Sequence, residues 1–332
     1  MNLRKEVLLL SAKDVRSLLT VDECIKAVER AFLAYGQQKV STPAVLSLHT
    51  PSGGFHVKAG LLEVGKPYFA AKVNGNFPEN RTQAGLPTIQ GVIVLCDAEC
   101  GSPLAVMDSR DITSLRTAAA TAVAAKHLAR RNSRVATICG CGEQGRIQLK
   151  ALARTCDLQS AFAYDKSAEQ ALNFATSMSE ELGIPVAVAS CLSVAVHQSD
   201  ICVTCTTSQQ PLLNPEDVMP GTFIAAVGAD NPHKQELHPA LMARSKVVVD
   251  VLEQCAVMGD LHHALDSRAM TLAAVHADLG EVVAGTKPGR ESDDEVIIFD
   301  STGMALQDVA AAGIVYEKAV QLGTGVRLGL AG

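Results

Sequence analysis

Tryptophan is missing from the 332 residues, and aromatic residues together make up only 4% of them. A core built on large aromatic plates is thereby excluded, and the buried volume falls to Ala, Val, Leu and Ile. Near the start the only apolar run is Val7–Leu10, too brief for a signal-peptide core or a membrane span. The expected location is therefore cytoplasmic, with no membrane partner. No block of Lys or Arg stands out and the net charge is −6, which excludes the basic surface that nucleic acid demands. Low-complexity tracts, disordered linkers and internal repeats are absent. What remains is an ordinary globular composition, 48% hydrophobic and 19% charged, in a chain long enough for two domains.

Cysteine is plentiful, at ten, but metal-site spacing is lacking. Cys202 and Cys205 form a C-x-x-C inside ICVTCT, which reads as a buried strand. Successive strand residues face opposite sides, so these two thiols cannot share a metal. Cys139 with Cys141, and Cys96 with Cys100, offer no better framework. Free buried thiols in a reducing compartment are the reading, with no metal expected. His233, His238, His262, His263 and His276 fall in irregular segments and form no zinc pattern.

The chain opens with helical sequence. Thr20 and Glu23 form a capping box, and Ile25, Val28, Phe32 and Tyr35 repeat at helical spacing as one apolar stripe. Short strand-like runs follow, AVLSLHT, GFHVKAG, YFAAKVNG, IQGVIVLCD and PLAVMD, separated by turns with no helical pattern between them. They predict a mostly antiparallel sheet. After Asp111 comes an Ala-rich helix, ITSLRTAAATAVAAKHLAR. Strands and helices then alternate, with RVATICG, SAFAYD, PVAVAS, DICVTCT, TFIAAVG and KVVVDV as near-continuous apolar strands. That alternation predicts a doubly wound α/β sheet. It ends around EVIIFDSTG, and a last helix, ALQDVAAAGIVYEKAVQLG, follows. The expected division is a discontinuous α+β domain of residues 1–112 and 304–332 around a Rossmann domain of residues 113–303.

ICGCGEQGRIQL carries a G-x-G-x-x-G at Gly140, Gly142 and Gly145. It lies between a strand and a helix, as a dinucleotide loop requires. Gly140 permits the tight turn, Gly142 lets the pyrophosphate approach, Gly145 lets helix and strand pack, and the helix N-terminus favours phosphate. Asp165, twenty residues past Gly145, is placed to accept the adenosine ribose hydroxyls and to repel a 2′-phosphate. NAD(H) is thus favoured, while Lys166 leaves NADP(H) open.

Hydride chemistry on a small amino or keto acid also needs a cation for the carboxylate, a polarising group and an acid or base. Arg116 sits near the start of the Ala-rich helix, where the dipole does not favour a cation. It meets either a bound anion or a surface ion pair. Lys72 in FAAKVNG and Lys58 in FHVKAG lie in strands, where each either snorkels to solvent or lines a cleft. Asp230 follows AAVGA at the C-terminal end of a predicted parallel strand, where ligand crevices form, unless it merely caps a turn.

Through these residues the sequence resembles the ornithine cyclodeaminase/mu-crystallin family along nearly its whole length. KVNGNFPEN, GLPTIQG, PLAVMDSRDITSLRTAAATAVAAKHLAR, CGCGEQG, VGADNPHKQEL and LGEVVAG carry the likeness. VVVDVLEQC and GRESDDEVIIFDSTGMALQDVA look most like the archaeal alanine dehydrogenase branch, and bacterial reductases of cyclic imino acids are similar too. The resemblance implies a central Rossmann domain, a substrate domain completed by the C-terminal helix, and a homodimer formed through the substrate domain. It puts the active-site lysine at Lys72, the carboxylate-binding arginine at Arg116, the catalytic aspartate at Asp230 and a cleft residue at Thr88. Cofactor contacts are expected from Thr117, Gly140, Gly142, Glu143, Gln144, Gly145, Asp165, Thr206, Val227 and Ser301.

The expected activity is NAD(H)-dependent oxidoreduction at a C–N bond, between a small L-amino acid and its imine or 2-oxo acid. One alternative is an ornithine or lysine cyclodeaminase, an ammonia-lyase that recycles its NAD+. Another is an NAD-binding protein without turnover, whose mark would be loss of the lysine, arginine or aspartate. Cyclodeaminases carry a further arginine just before the second strand. No Arg lies between Ser41 and Thr50 here, and Lys58 is the candidate for that charge.

Overall fold

In the computed structural model, which describes residues 6–329, Ser11 and Thr20 each close a capping box, with Asp14 and Glu23. They start α1 (Ala12–Leu18) and α2 (Val21–Gly36), and α2 buries Ile25, Val28 and Phe32 from the expected stripe. The chain divides into two units. One runs up to Arg116 and resumes at Met304; the other is Thr117–Gly303.

The discontinuous unit is built on a seven-stranded sheet. In spatial order its strands are β17 (Val326–Gly329), β1 (Glu6–Leu10), β6 (Pro103–Asp108), β5 (Ile89–Asp97), β4 (Lys66–Asn76), β3 (Gly53–Val64) and β2 (Ala44–Thr50). Every pairing is antiparallel except β1 with β6. The long helix α12 (Ala305–Leu322) packs on α2, β3 and β4. Its first turn comes close because β3 carries Gly60 there: a Cβ would sit 3.0 Å from Leu306 Cδ2 and 3.5 Å from the Ala305 Cβ.

Side chains alternate across a strand, so His56, Lys58 and Gly60 share the face under α12, and register pairs Lys58 with Lys72 and Lys72 with Ile93. The opposite face presents Leu46, Leu48, Phe55, Val73 and Val92, all exposed. β1 and β17 were not read as strands from the sequence. The first is a five-residue segment and the second is exposed throughout, so neither carries an alternating pattern. A four-residue helix, α3 (Asn80–Gln83), also interrupts the strand run where none was expected.

The Thr117–Gly303 unit holds an eight-stranded, wholly parallel sheet. Its order is β15 (Ala277–Asp278), β14 (Lys246–Val249), β16 (Ile297–Asp300), β12 (Phe223–Ala226), β10 (Ile201–Thr204), β7 (Val135–Cys139), β8 (Ser160–Tyr164) and β9 (Val186–Val188). Residues such as Ile138, Ile224, Val247 and Ile298 are fully buried, as strands covered on both faces demand. The intervening helices are α5 (Glu143–Thr155), α6 (Ala168–Leu182), α7 (Leu192–His197), α8 (Pro239–Arg244), α9 (Leu252–Met258), α10 (Asp260–Asp266) and α11 (Leu279–Val283). A separate pair, β11 (Gln209–Leu213) with β13 (Gln235–Leu237), lies outside the main sheet. The strand order reverses at β7, with β8 on one side and β10 on the other. In open α/β sheets the crevice for a ligand forms there, at the carboxyl ends of the strands.

The helix α4 (Arg110–Leu128) crosses the boundary between Arg116 and Thr117. Ala118–Ala120 and Ala122–Ala125 are buried, with Val123 and Ala124 fully so. The turns around Arg116 are only half-buried, with Thr113, Ser114, Leu115 and Thr117 partly exposed, yet Arg116 itself is 5% exposed.

Candidate functional site

The glycine loop lies at the switch point. Gly140 follows β7 with φ of +105°, a conformation L side chains avoid. A Cβ on Gly145 would stand 2.1 Å from the Gly140 carbonyl oxygen, so the first turn of α5 folds directly onto the loop. Gly142 is the N-cap of α5 and supplies no side-chain cap, and a Cβ there would meet nothing within 4 Å. The helix N-terminus thus keeps backbone donors and open room together, the setting a pyrophosphate fits. Gln144 adds a buried Nε2 with no partner among the described residues. On these observations the loop fits a dinucleotide.

Most of the other expected cofactor residues lie at the carboxyl ends of the strands or open α5. Thr206, Val227 and Ser301 follow the last residues of β10, β12 and β16. Glu143 and Gln144 open α5, and Thr117 belongs to α4. Asp165 follows β8 and braces the loop itself: one oxygen accepts from the Cys141 N–H and the other from the Ser167 N–H, both at 2.9 Å. Each oxygen retains a second lone pair for a ribose hydroxyl.

Buried carboxylates that the sequence did not flag hold these loops in place. Glu236 accepts from the Thr206 N–H (2.6 Å), the Thr206 hydroxyl (2.7 Å) and the Gly228 N–H (2.9 Å). Asp260 Oδ1 accepts from the Glu236 and Leu237 N–H groups, each at 2.8 Å. Asp300 accepts from Leu261 N–H (2.9 Å), and Asp250 from the Ser301 hydroxyl (2.9 Å) and Gly303 N–H (2.6 Å). Burial and the neighbouring Glu236 charge push Asp260 up to about 7, against bonds from the Leu237 and Glu236 N–H groups. Asp300 is raised well above the usual range by burial and then by Asp260.

Asp230 lies four residues beyond β12, half exposed, and accepts from Lys234 Nζ at 2.7 Å. Among the described residues, no group of three or more His, Cys, Asp or Glu is arranged to hold a metal ion.

In the discontinuous unit the structure brings Lys72 and Arg116 together on a carboxylate the sequence reading missed. Lys72 Nζ sits 2.8 Å from each oxygen of Asp308, and Arg116 Nε is 3.1 Å from Oδ1. Arg116 Nη1 donates to Gln307 Oε1 at 3.1 Å. All four side chains are buried. Lys58, 9% exposed, faces Lys72 directly across the β3–β4 ladder. Burial, the Arg116 guanidinium and Lys58 bring Lys72 down to about 7, against the pull of Asp308. Burial raises the Asp308 carboxyl, but the Lys72 and Arg116 charges outweigh it and hold the group below the usual range. An ammonium poised near neutrality can polarise a carbonyl or imine and exchange a proton. Thr88 does not join this cluster. It lies five residues from Ile93, the partner of Lys72, at the far end of β5, where its carbonyl accepts from Phe77 N–H.

Asp308 and Gln307 left one trace in the sequence. ALQDVAAAG is apolar on every side except at this adjacent polar pair. A helix with no wet face must send such a pair to buried partners, and α12 is buried almost throughout its first three turns.

The sequence profile of the ornithine cyclodeaminase/mu-crystallin family matches residues 5–323. An alanine dehydrogenase of Archaeoglobus fulgidus is 41% identical over 323 residues, 97% of this chain and 98% of that protein. A solved archaeal alanine dehydrogenase dimer with bound NAD superposes with a TM-score of 0.94 at 41% identity, covering 98% of this chain and all of that one. The Thermococcus litoralis Delta(1)-pyrroline-2-carboxylate reductase, solved with NADH and L-proline, gives 0.92 at 35% identity, over 97% of this chain and all of that one.

Proposed function

The chain belongs to the ornithine cyclodeaminase/mu-crystallin family, and from that premise we propose an NAD(H)-dependent oxidoreductase acting on a C–N bond. It interconverts a small L-amino acid with its imine or 2-oxo acid. The observation that carries this reading is the buried Lys72–Asp308–Arg116 cluster with Lys58 beside it, three cations against one carboxylate. Such a cluster suits an anionic substrate whose reacting carbon needs polarising.

The dinucleotide, held by the Gly140–Gly145 loop, supplies hydride transfer when bound. Arg116, with Lys58, holds the substrate carboxylate. Lys72 donates a hydrogen bond to the carbonyl oxygen or imine nitrogen and stabilises charge developing there. Asp230 manages the proton on nitrogen or on an attacking water. The discontinuous unit is taken as the substrate domain, and Thr88, which lies away from the cluster, is given no contact with the reacting carbon.

A homodimer goes with this reading. The exposed apolar face of the seven-stranded sheet, with Leu46, Leu48, Phe55, Val73 and Val92, is the surface proposed to pair. All ten cysteines are free thiols, as a reducing compartment leaves them, and the cytoplasm is the proposed location. No helix among the described residues is long and apolar enough to cross a membrane.

The test is to supply NADH and ammonia with a panel of 2-oxo acids, or NADH with cyclic imines, and follow NADH absorbance. Stoichiometric NADH loss is expected. Ammonia release from ornithine or lysine with catalytic NAD+, and no NADH loss with any of the panel, would overturn the reading in favour of a cyclodeaminase.

A further inference from the structure

Asp308 is placed as a hub. Its carboxylate is fully buried, it bridges an ammonium from β4 and a guanidinium from α4, and Gln307 beside it takes a second N–H of the same guanidinium. Two successive residues in the first turn of α12 therefore take up Lys72 and the Nε and Nη1 groups of Arg116, and Arg116 Nη2 takes no part in these bonds. Stability alone is a poor account of the arrangement. Desolvating three charges offsets most of their attraction, and apolar side chains of the same size would join helix and sheet as well.

The groups facing Lys72 are Lys58 from β3, Arg116 from α4 and Asp308 from α12; β5 brings Ile93 in register. α2 brings Cys24 to Arg116 and Asp308, a thiol pushed up to about 12 by burial and therefore neutral. Among the described residues, Asp308 is the one acid in the set of groups acting on Lys72.

We propose that Asp308 is a positioning residue for the reaction: it fixes the Lys72 ammonium and the Arg116 guanidinium as one unit and keeps the lysine charged when substrate arrives. The proposal rests on the oxidoreductase reading above. Without the carboxylate, Lys72 faces two like charges. The guanidinium keeps its proton, so the ammonium is the group that yields.

The test compares Asp308→Asn and Asp308→Glu in the full chain. For each variant, kcat and KM are measured across pH with whichever 2-oxo acid or cyclic imine the wild type reduces. Melting temperature and NADH binding are recorded alongside. A lysine-selective carbon-13 NMR titration, with Lys72→Met assigning the signal, reads the charge on Lys72 without turnover. In Asp308→Asn, the loss of kcat with rising pH is expected to begin about one pH unit or more lower. Its optimum kcat should fall at least about tenfold. NADH affinity is expected to hold, the Lys72 titration to move with the rate profile, and Asp308→Glu to recover part of both. An unmoved Lys72 titration in Asp308→Asn overturns the proposal, as does a kcat profile that superposes on the wild type. If the wild type consumes no NADH with any substrate, the oxidoreductase reading fails, while the titration still decides whether Asp308 sets the charge on Lys72.

Discussion

Lys72 and Asp260 both titrate near 7, from opposite directions, and they act oppositely on stability. Lys72 has fallen from 10.5 to about 7. Between those values the folded chain binds fewer protons than the unfolded one, so its contribution is present above 10.5 and is lost as pH falls through 7. Asp260 has risen from 3.8 to about 7. Its contribution is full below 3.8 and is lost as pH rises through 7. Asp260→Asn keeps an oxygen for the Glu236 and Leu237 N–H groups and carries no charge. The drop in melting temperature between about pH 5 and about pH 8 should therefore shrink by a few degrees, the scale of about 1 kcal/mol in a domain of this size. An unchanged drop in calorimetry would refute this account of Asp260. On the activity side, Lys72→Ala should lower kcat by about a hundredfold or more, with NADH binding preserved. Because the chain has no tryptophan, the nucleotide's own fluorescence reports that binding without an indole background. Lys72 and Arg116 stood out in the sequence as cations in a strand and near a helix start, with a surface role left open for each, and it was the family resemblance that singled them out. Asp308 did not stand out, since its partners lie 236 and 192 residues away in the chain and helical periodicity says nothing about what a buried face meets.

At the scale of elements, six of the eight strands of the parallel sheet were legible because burial on both faces leaves near-continuous apolar runs, as in RVATICG and TFIAAVG; β16 was read only as the point where the alternation ends, and β15 is two residues long. β11, β13, β1 and β17 escaped because short or exposed strands owe their existence to a partner rather than to a pattern. The loop between β7 and α5 was legible from its glycines, and the structure supplies the reason in distances. Gly145→Ala would drive a methyl group to 2.1 Å from the Gly140 carbonyl oxygen, with Ile138 Cγ2 at 3.1 Å behind it. The backbone contact cannot yield as a flexible side chain would, so the loop itself must shift. NADH affinity should fall about tenfold or more, the 1.4 kcal/mol of one lost charge-assisted bond. Wild-type affinity in a fluorescence titration of this variant would show that the loop does not hold the nucleotide.

At the scale of the whole molecule, the two sides of the seven-stranded sheet divide the labour. One carries Lys58 and Lys72 under α12; the other is apolar and exposed. Leu48 is 57% exposed and pairs in register with Phe55. Leu48→Asp adds a charge to that face without touching the core. If that face pairs two copies as proposed, light scattering should find the variant as a monomer, with a melting temperature independent of protein concentration. A dimer of wild-type affinity would place the interface elsewhere.

The pairing of β1 with β17, which sets Glu6 opposite Gly329, gives the discontinuous unit a history as well as a shape. On the ribosome, Arg116 is made 192 residues before Asp308, an interval of roughly 10–40 s at ordinary synthesis rates. The Thr117–Gly303 segment is contiguous and emerges whole within that interval, while the first sheet waits for its last helix and its edge strand. Until they arrive, Lys72 and Arg116 remain hydrated. The buried cluster of Lys72, Arg116 and Asp308 thus comes into being only after α12 has been made.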